Sequence, residues 1–140
     1  MRALTILLLL TSLVGCQSIT DPLGRQEALE DAQRRYTDFV RWGDLSRASR
    51  YLEPEARADF LDNVSRLEHI RVTDFDVQDL EYDGEDEVHL IVTYYGFSLL
   101  TAVEGRFREH QHWVRDPGFK SRWRVKTDLD QVLASLGGGS

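Results

Sequence analysis

Residues 88–95 read Val-His-Leu-Ile-Val-Thr-Tyr-Tyr, a dense run of residues that favour β-strands. Apolar or aromatic side chains fall on nearly both faces of this run, which is typical of an inner strand of a sheet. The preceding residues 82–86, Tyr-Asp-Gly-Glu-Asp, predict a turn. The run therefore predicts the centre of a sheet, with neighbouring strands on both sides.

Residues 70–82 predict one of these neighbours. Their apolar residues alternate in three pairs whose phase slips between one pair and the next, and such slips predict β-bulges. The pairs are Ile70 and Val72, Phe75 and Val77, and Leu80 and Tyr82. We therefore expect a strand that is interrupted by bulges and pairs with 88–95 across the turn between them.

The residues that follow the central run predict the rest of the sheet. Gly96 marks a turn or bend, 99–113 predict a long strand, Asp116-Pro117-Gly118 predicts a turn, and 122–127 predict a last strand. Because each strand follows the previous one after a short connection, the order indicates an antiparallel meander.

The N-terminal half has the three- and four-residue spacing of apolar side chains that predicts helices. Asp21-Pro22 is typical of a helix start, and Gly43 is typical of its C-terminal end. Asp44 and Pro54 predict the starts of two shorter helices. Helices followed by a meander predict an α+β fold, in which N-terminal helices pack on a curved antiparallel sheet.

Length and charge limit both the organisation and the partners of the chain. Its 140 residues allow one domain, expected at 21–130 and followed by a flexible tail at 131–140. Lys and Arg number 17 against 24 Asp and Glu, and the net charge of −7 argues against a nucleic-acid partner. The single cysteine excludes an internal disulfide framework.

The order of elements, together with Trp113-Val114, Asp116-Pro117-Gly118 and Trp123-Arg124-Val125, resembles the nuclear transport factor two-like, cystatin-like cone fold. The resemblance implies a bent sheet that curls round the first helix and leaves an open apolar cavity. Members of this superfamily include isomerases, epoxide hydrolases, ligand-binding modules and assembly domains. The candidate cavity-lining residues are Tyr36, Phe39, Tyr51, Phe60, Val92, Tyr94, Val103, Phe107 and Trp123.

The first twenty residues predict export and a lipid anchor. Residues 1–15 combine a positive start with a short apolar run, as in a signal peptide that is removed. Leu13-Val14-Gly15-Cys16 resembles the lipobox of bacterial lipoproteins, which implies acylation of Cys16 and a lipidated tether at 16–20. Gln17 favours the periplasmic face of the outer membrane, since aspartate at that position resembles an inner-membrane retention signal. The membrane is therefore the expected partner of the N-terminus.

Two kinds of chemical site remain as candidates. His110 and His112 share one face of a strand, and Glu104 or Glu109 would add a carboxylate, but the spacing of a full metal site is missing and we expect no cofactor. Resemblance to cone-fold isomerases implies a carboxylate base and a hydroxyl donor in the cavity. The candidates for these roles are Tyr36, Tyr51, Tyr94, Tyr95 and Glu104.

No Asp or Glu stands out among the inward-facing strand positions, so the sequence does not predict a catalytic constellation. We therefore expect a lipid-anchored cell-envelope protein that acts by binding a protein partner or a small apolar ligand. One alternative is a small-molecule isomerase or hydrolase that uses the cone cavity. The other is a structural subunit of an envelope assembly, for example a homodimer.

Overall fold

A computed structural model of the chain describes residues 24–62, 64–116 and 122–136. Four helices come first, followed by four strands and a last helix, and two 3-10 turns at Ser49–Tyr51 and Pro54–Ala56 lie between the second and third helices. The elements are α1 (Arg25–Arg41), α2 (Leu45–Ala48), α3 (Arg57–Asp62), α4 (Val64–Leu67), β1 (Ile70–Asp83), β2 (Glu87–Ser98), β3 (Glu104–Arg115), β4 (Trp123–Thr127) and α5 (Leu129–Leu136). In the described part of the chain, no helix is long and apolar enough to cross a bilayer.

The four strands form one sheet in the order β1-β2-β3-β4, and each neighbouring pair is antiparallel. The predicted α+β fold class is confirmed. The predicted bulges in β1 are also confirmed, because its register with β2 shifts between Val72 and Asp74 and again between Gln78 and Glu81. These irregularities bend the long first strand, as bulges do.

The helix boundaries follow local chemistry. Gly43 adopts a φ of 73° just after α1, which is the left-handed conformation that ends many helices. The Asp44 side chain accepts a hydrogen bond from the Arg47 N–H at 3.1 Å and so caps α2 as predicted. Helix α1 begins at Arg25, and the predicted start at Asp21-Pro22 lies outside the described residues.

The core lies between α1 and the concave face of the sheet. Alternate side chains of β2 and β3 point into it because successive residues of a strand face opposite sides. The buried apolar residues on these strands are Val88, Leu90, Val92, Tyr94, Phe107 and Trp113. Tyr36 and Val40 of α1 pack against them and are fully buried.

The connection between β2 and β3 differs from the prediction. Strand β2 continues through Gly96 to Ser98, so Gly96 is not the turn. The Ser98 hydroxyl accepts hydrogen bonds from the N–H groups of Leu100 and Thr101, and these bonds stabilise a turn after β2. Strand β3 begins only at Glu104. Val103 therefore lies in the connection and is 65% exposed, rather than inside the cone.

The C-terminal boundary also differs. Helix α5 runs to Leu136, and Leu129 and Leu133 are both buried in the core. The helix therefore continues beyond residue 130, where the domain was predicted to end, and Leu129 and Leu133, at four-residue spacing, belong to the core. Residues 137–140 and the predicted leader and tether lie outside the described residues.

Candidate active site

The functional candidate that the sequence analysis missed is a carboxylate in the middle of the core. Glu109 is completely buried, and it lies on β3 between the inward-facing Phe107 and Gln111. It was missed because inward positions were assigned by hydrophobicity. The alternation itself carries the signal, since Glu109 follows Phe107 by two residues and so shares its face.

Four donors surround the Glu109 carboxylate. Tyr36 Oη and Thr127 Oγ1 each donate to Oε1 at 2.5 Å. Tyr94 Oη donates to Oε2 at 2.7 Å, and Gln111 Nε2 donates to the same oxygen at 2.8 Å. An ionised carboxylate has about four acceptor sites, so every one of them is used here.

The directions of these hydrogen bonds are fixed by a second set of partners. The Trp113 indole N–H can only donate, and it donates to Gln111 Oε1 at 2.9 Å, which turns the Gln111 amide nitrogen towards Glu109. Thr127 Oγ1 accepts the Leu129 N–H at 3.0 Å and so directs its own proton to the carboxylate. The Gln111 amide and the Thr127 hydroxyl are thereby oriented to donate, and with the two tyrosine hydroxyls they can supply four hydrogen bonds to an ionised Glu109.

Burial of the cluster opposes a negative charge on Glu109. Burial raises the pKa of Glu109 above its ordinary value, and the hydrogen bonds from its four neighbours work in the other direction. Burial and the charge of Glu109 hold the pKa values of Tyr36 and Tyr94 well above the usual range, so both hydroxyls keep their protons. A carboxylate with a raised pKa beside neutral donors is a chemically competent base.

Aromatic rings support the cluster. Tyr36 packs edge-on against Trp113 with ring centroids 5.8 Å apart, and Tyr51 packs edge-on against both. The Tyr94 ring stacks on Phe107 at 4.9 Å. These contacts hold both hydroxyls in place, since rings packed on several sides cannot turn without displacing their neighbours.

A groove opens beside Phe107, and we call it the mouth groove. It has a volume of about 730 Å³, within the range of small-molecule sites. Phe97, Phe107 and Leu133 line it, together with Arg66 of α4, His69 just before β1 and residues of the β2–β3 connection. Since Phe107 lines the groove and stacks on Tyr94, two aromatic rings separate the groove from Glu109. A second cavity of about 160 Å³ reaches Thr127 from the α3 side.

Most of the predicted cavity-lining residues lie in a filled interior. Tyr36, Phe60, Val92, Tyr94 and Trp123 are buried, and Phe39 and Tyr51 are partly buried against them. Only Phe107 and Val103 of the predicted set border the mouth groove, together with the exposed Glu104. The predicted cavity is therefore largely filled by these side chains, and the groove borders the packed interior at Phe107.

The two candidate metal ligands, His110 and His112, contact different partners in the structure. His110 Nδ1 lies 3.2 Å from Asp128 Oδ2, so this imidazole is paired with the start of α5. His112 instead stacks on His89 across the β2–β3 pair and contacts Glu87. Glu109 faces the opposite side of the sheet and is not part of either arrangement.

The architecture, helices followed by a four-stranded antiparallel sheet, resembles the nuclear transport factor two-like cone fold. A protein of Xanthomonas campestris pv. campestris assigned as a polyketide cyclase superposes with a TM-score of 0.50 and 15% identity, over 81% of this chain and 98% of that one. A protein of Silicibacter sp. TM1040 with the same assignment gives 0.48 and 14% identity, over 77% and 94% of the two chains. No protein-family model matches the chain, and no curated protein matches its sequence at a significant level.

The prediction that the domain acts by binding rather than catalysis is wrong. It depended on the absence of an inward-facing carboxylate, and Glu109 is a carboxylate of this kind with two tyrosine donors.

Proposed function

We propose that the domain is a small-molecule enzyme of the isomerase or cyclase type, which removes a proton from a carbon next to a carbonyl group. The observation that carries the proposal is the buried Glu109 carboxylate, which two tyrosine hydroxyls hold close to an apolar groove. The cyclase assignment of the structure with a TM-score of 0.50 supports the same class of chemistry.

The proposed base is Glu109. To accept a proton from carbon, Oε2 must first be released by one of its two donors. The Tyr94 hydroxyl turns from Oε2 to the substrate carbonyl and donates to the developing enolate oxygen, and the freed site on Oε2 takes the proton. Burial favours this transfer because it raises the pKa of the carboxylate towards the pH at which a base works best. Tyr36 and Thr127 keep the other oxygen in position.

Substrate access is proposed through the mouth groove. The groove is large enough for a small organic molecule, whereas the cavity of about 160 Å³ beside Thr127 is not. Phe107 lies on the route, since its ring borders the groove and covers Tyr94. A ketone bound in the groove would reach the pair of Tyr94 and Glu109 only after the Phe107 side chain moves aside, which requires its neighbours to shift.

The test measures exchange of carbon-bound hydrogen in D₂O by NMR, with 2-tetralone and phenylacetone as probes. We expect the wild-type protein to accelerate exchange, and Glu109→Gln to reduce that rate about 100-fold or more, the usual worth of a general base. Glu55→Gln is the matched control, because Glu55 is an exposed carboxylate in the 3-10 turn Pro54–Ala56 and does not line the mouth groove.

Two results would overturn the proposal. One is exchange at the buffer rate with folded wild-type protein and both ketones. The other is a Glu109→Gln variant that is folded by circular dichroism and as active as wild type. Phe107→Ala tests the route, since a smaller side chain should raise the rate for the larger ketone more than for the smaller one.

We further propose that the enzyme is anchored by lipid on Cys16 and faces the periplasm from the outer membrane. The support is the sequence of the leader, with Leu13-Val14-Gly15-Cys16 at its end and Gln17 after the cysteine. Several acyl chains hold a protein durably to a bilayer, since each buried methylene contributes about 0.8 kcal/mol. Because the net charge is −7, anionic lipid headgroups repel the protein. The acyl chains, and not a basic surface patch, would therefore hold it to the membrane.

A further inference from the structure

The outer face of the sheet, opposite the candidate active site, carries a cluster of metal-binding side chains. Glu87 and His89 are two residues apart on β2, so they share a face, and His112 lies directly across from His89 on β3. The potential ligand atoms of the three side chains all lie within 4.8 Å of one another. None of the three takes part in the Glu109 cluster.

The three side chains are already close together. The imidazole rings of His89 and His112 stack with centroids 4.0 Å apart and planes inclined by 13°. His112 Nε2 lies 2.9 Å from Glu87 Oε2, which brings nitrogen and carboxylate oxygen together. Tetrahedral zinc holds its ligand atoms about 3.3 Å apart, given metal–ligand bonds of about 2.0–2.1 Å, so the spacing is suitable, and the stacked rings must turn out of their parallel arrangement for both lone pairs to meet one ion.

The surroundings favour a cation. An open groove of about 500 Å³ borders the cluster, and the carboxylates of Asp79 and Glu81 line it beside His89 and His112. Glu81 is also the register partner of His89 on β1. Two imidazoles and a carboxylate distinguish this site from an ordinary acidic patch, since nitrogen ligands select transition-metal ions over Mg²⁺ and Ca²⁺.

We propose that Glu87, His89 and His112 bind a zinc ion on the outer face of the sheet. Three protein ligands leave one position of a tetrahedral ion for water or for a small ligand from the groove. The ion would also clamp β2 to β3, because Glu87 and His89 lie on one strand and His112 on the other. This proposal does not depend on the proposed enzymatic function.

The test titrates metal-free protein with Zn²⁺ by isothermal calorimetry and repeats the titration with Co²⁺, whose visible spectrum reports four-coordination. We expect one ion per chain with a dissociation constant in the micromolar range, and a rise in melting temperature when zinc is present. His89→Gln and His112→Gln should each raise the dissociation constant about 100-fold or more. Mutation of a residue that only hydrogen-bonds a metal ligand already lowers metal affinity about 10- to 100-fold, and loss of a ligand itself should cost at least as much.

His110→Gln is the matched control, because His110 lies on the same strand and face as His112 but is paired with Asp128. Its dissociation constant should stay within about twofold of wild type. Millimolar binding by the wild-type protein would overturn the proposal, and so would equal losses in His110→Gln and His112→Gln. A Co²⁺ complex with the spectrum of the hexaaqua ion would overturn it as well.

Discussion

The hydroxyl of Tyr36 donates to Glu109 Oε1 across 2.5 Å and so joins the middle of α1 to the middle of β3. Both residues are fully buried, and the hydrogen bond connects positions 73 residues apart in the chain. An uncompensated carboxylate in an apolar core would be very costly, so this contact and its three companions are a condition of folding as well as of any chemistry.

Tyr36→Phe is expected to destabilise the protein by about 2 kcal/mol, because a hydrogen bond to a charged group is lost and its acceptor stays buried. Chemical denaturation of wild type and variant measures the difference in the free energy of unfolding. Tyr82→Phe is the control, since Tyr82 is half-exposed on β1, and it should change stability by less than about 0.5 kcal/mol. Equal effects at the two positions would argue that Glu109 is not charged in the fold.

The pH dependence of stability should carry the signature of Glu109. Because burial raises its folded-state pKa above the ordinary value of 4.5, the folded protein holds this proton more tightly than the unfolded chain. The resulting stabilisation is complete below pH 4.5 and is lost as the pH rises through the folded-state pKa. Other groups titrate in the same range, so the difference between wild type and Glu109→Gln isolates this contribution.

We therefore expect the free energy of unfolding of wild type, relative to Glu109→Gln, to fall as the pH increases from 4 to 7. Each unit by which the pKa is raised corresponds to about 1.4 kcal/mol. Urea denaturation at a series of pH values gives both curves. A difference that is constant with pH, or one that grows in the opposite direction, would contradict a raised pKa.

The helices and strands could be predicted from the sequence because interactions between residues close in the chain determine where they begin, bend and end. The alternation of apolar side chains located the bulges of β1, and Gly43 and Asp44 marked the end of α1 and the start of α2. Val103 was misplaced for a local reason as well, since the Ser98 hydroxyl organises a turn that interrupts the apparent alternation.

The candidate active site could not be predicted in the same way. A carboxylate is buried only where enough donors meet it, and the donors to Glu109 come from α1, β2, β3 and β4. Similarly, the stacking of His89 on His112 follows from the register of β2 and β3, which apolar patterns alone do not determine. The face of Glu109 could be predicted, but not the partners that make it stable.

Gly96→Ala should destabilise the domain, since an added Cβ would lie 2.3 Å from the Arg71 carbonyl oxygen of the neighbouring strand. Backbone must move to relieve such a contact, at a cost of about 1–3 kcal/mol. Gly105, which faces Gly96 across the β2–β3 pair, is the matched control because a Cβ there meets nothing within 4 Å. Thermal denaturation should separate the two variants, and equal melting temperatures would show that the close approach is absent.

Cys16→Ser tests the proposed lipid anchor. The thiol is the acceptor of the diacylglyceryl group in the lipoproteins that the leader resembles, so serine should prevent acylation and leave the protein outside the membrane fraction or unprocessed. Fractionation of cells and metabolic labelling with palmitate measure both effects. Ser12→Ala, in the same leader but outside the Leu13-Val14-Gly15-Cys16 motif, is the control and should leave labelling intact. Membrane retention of Cys16→Ser with normal maturation would refute the anchor, and the periplasmic location proposed for the enzyme would then need separate support.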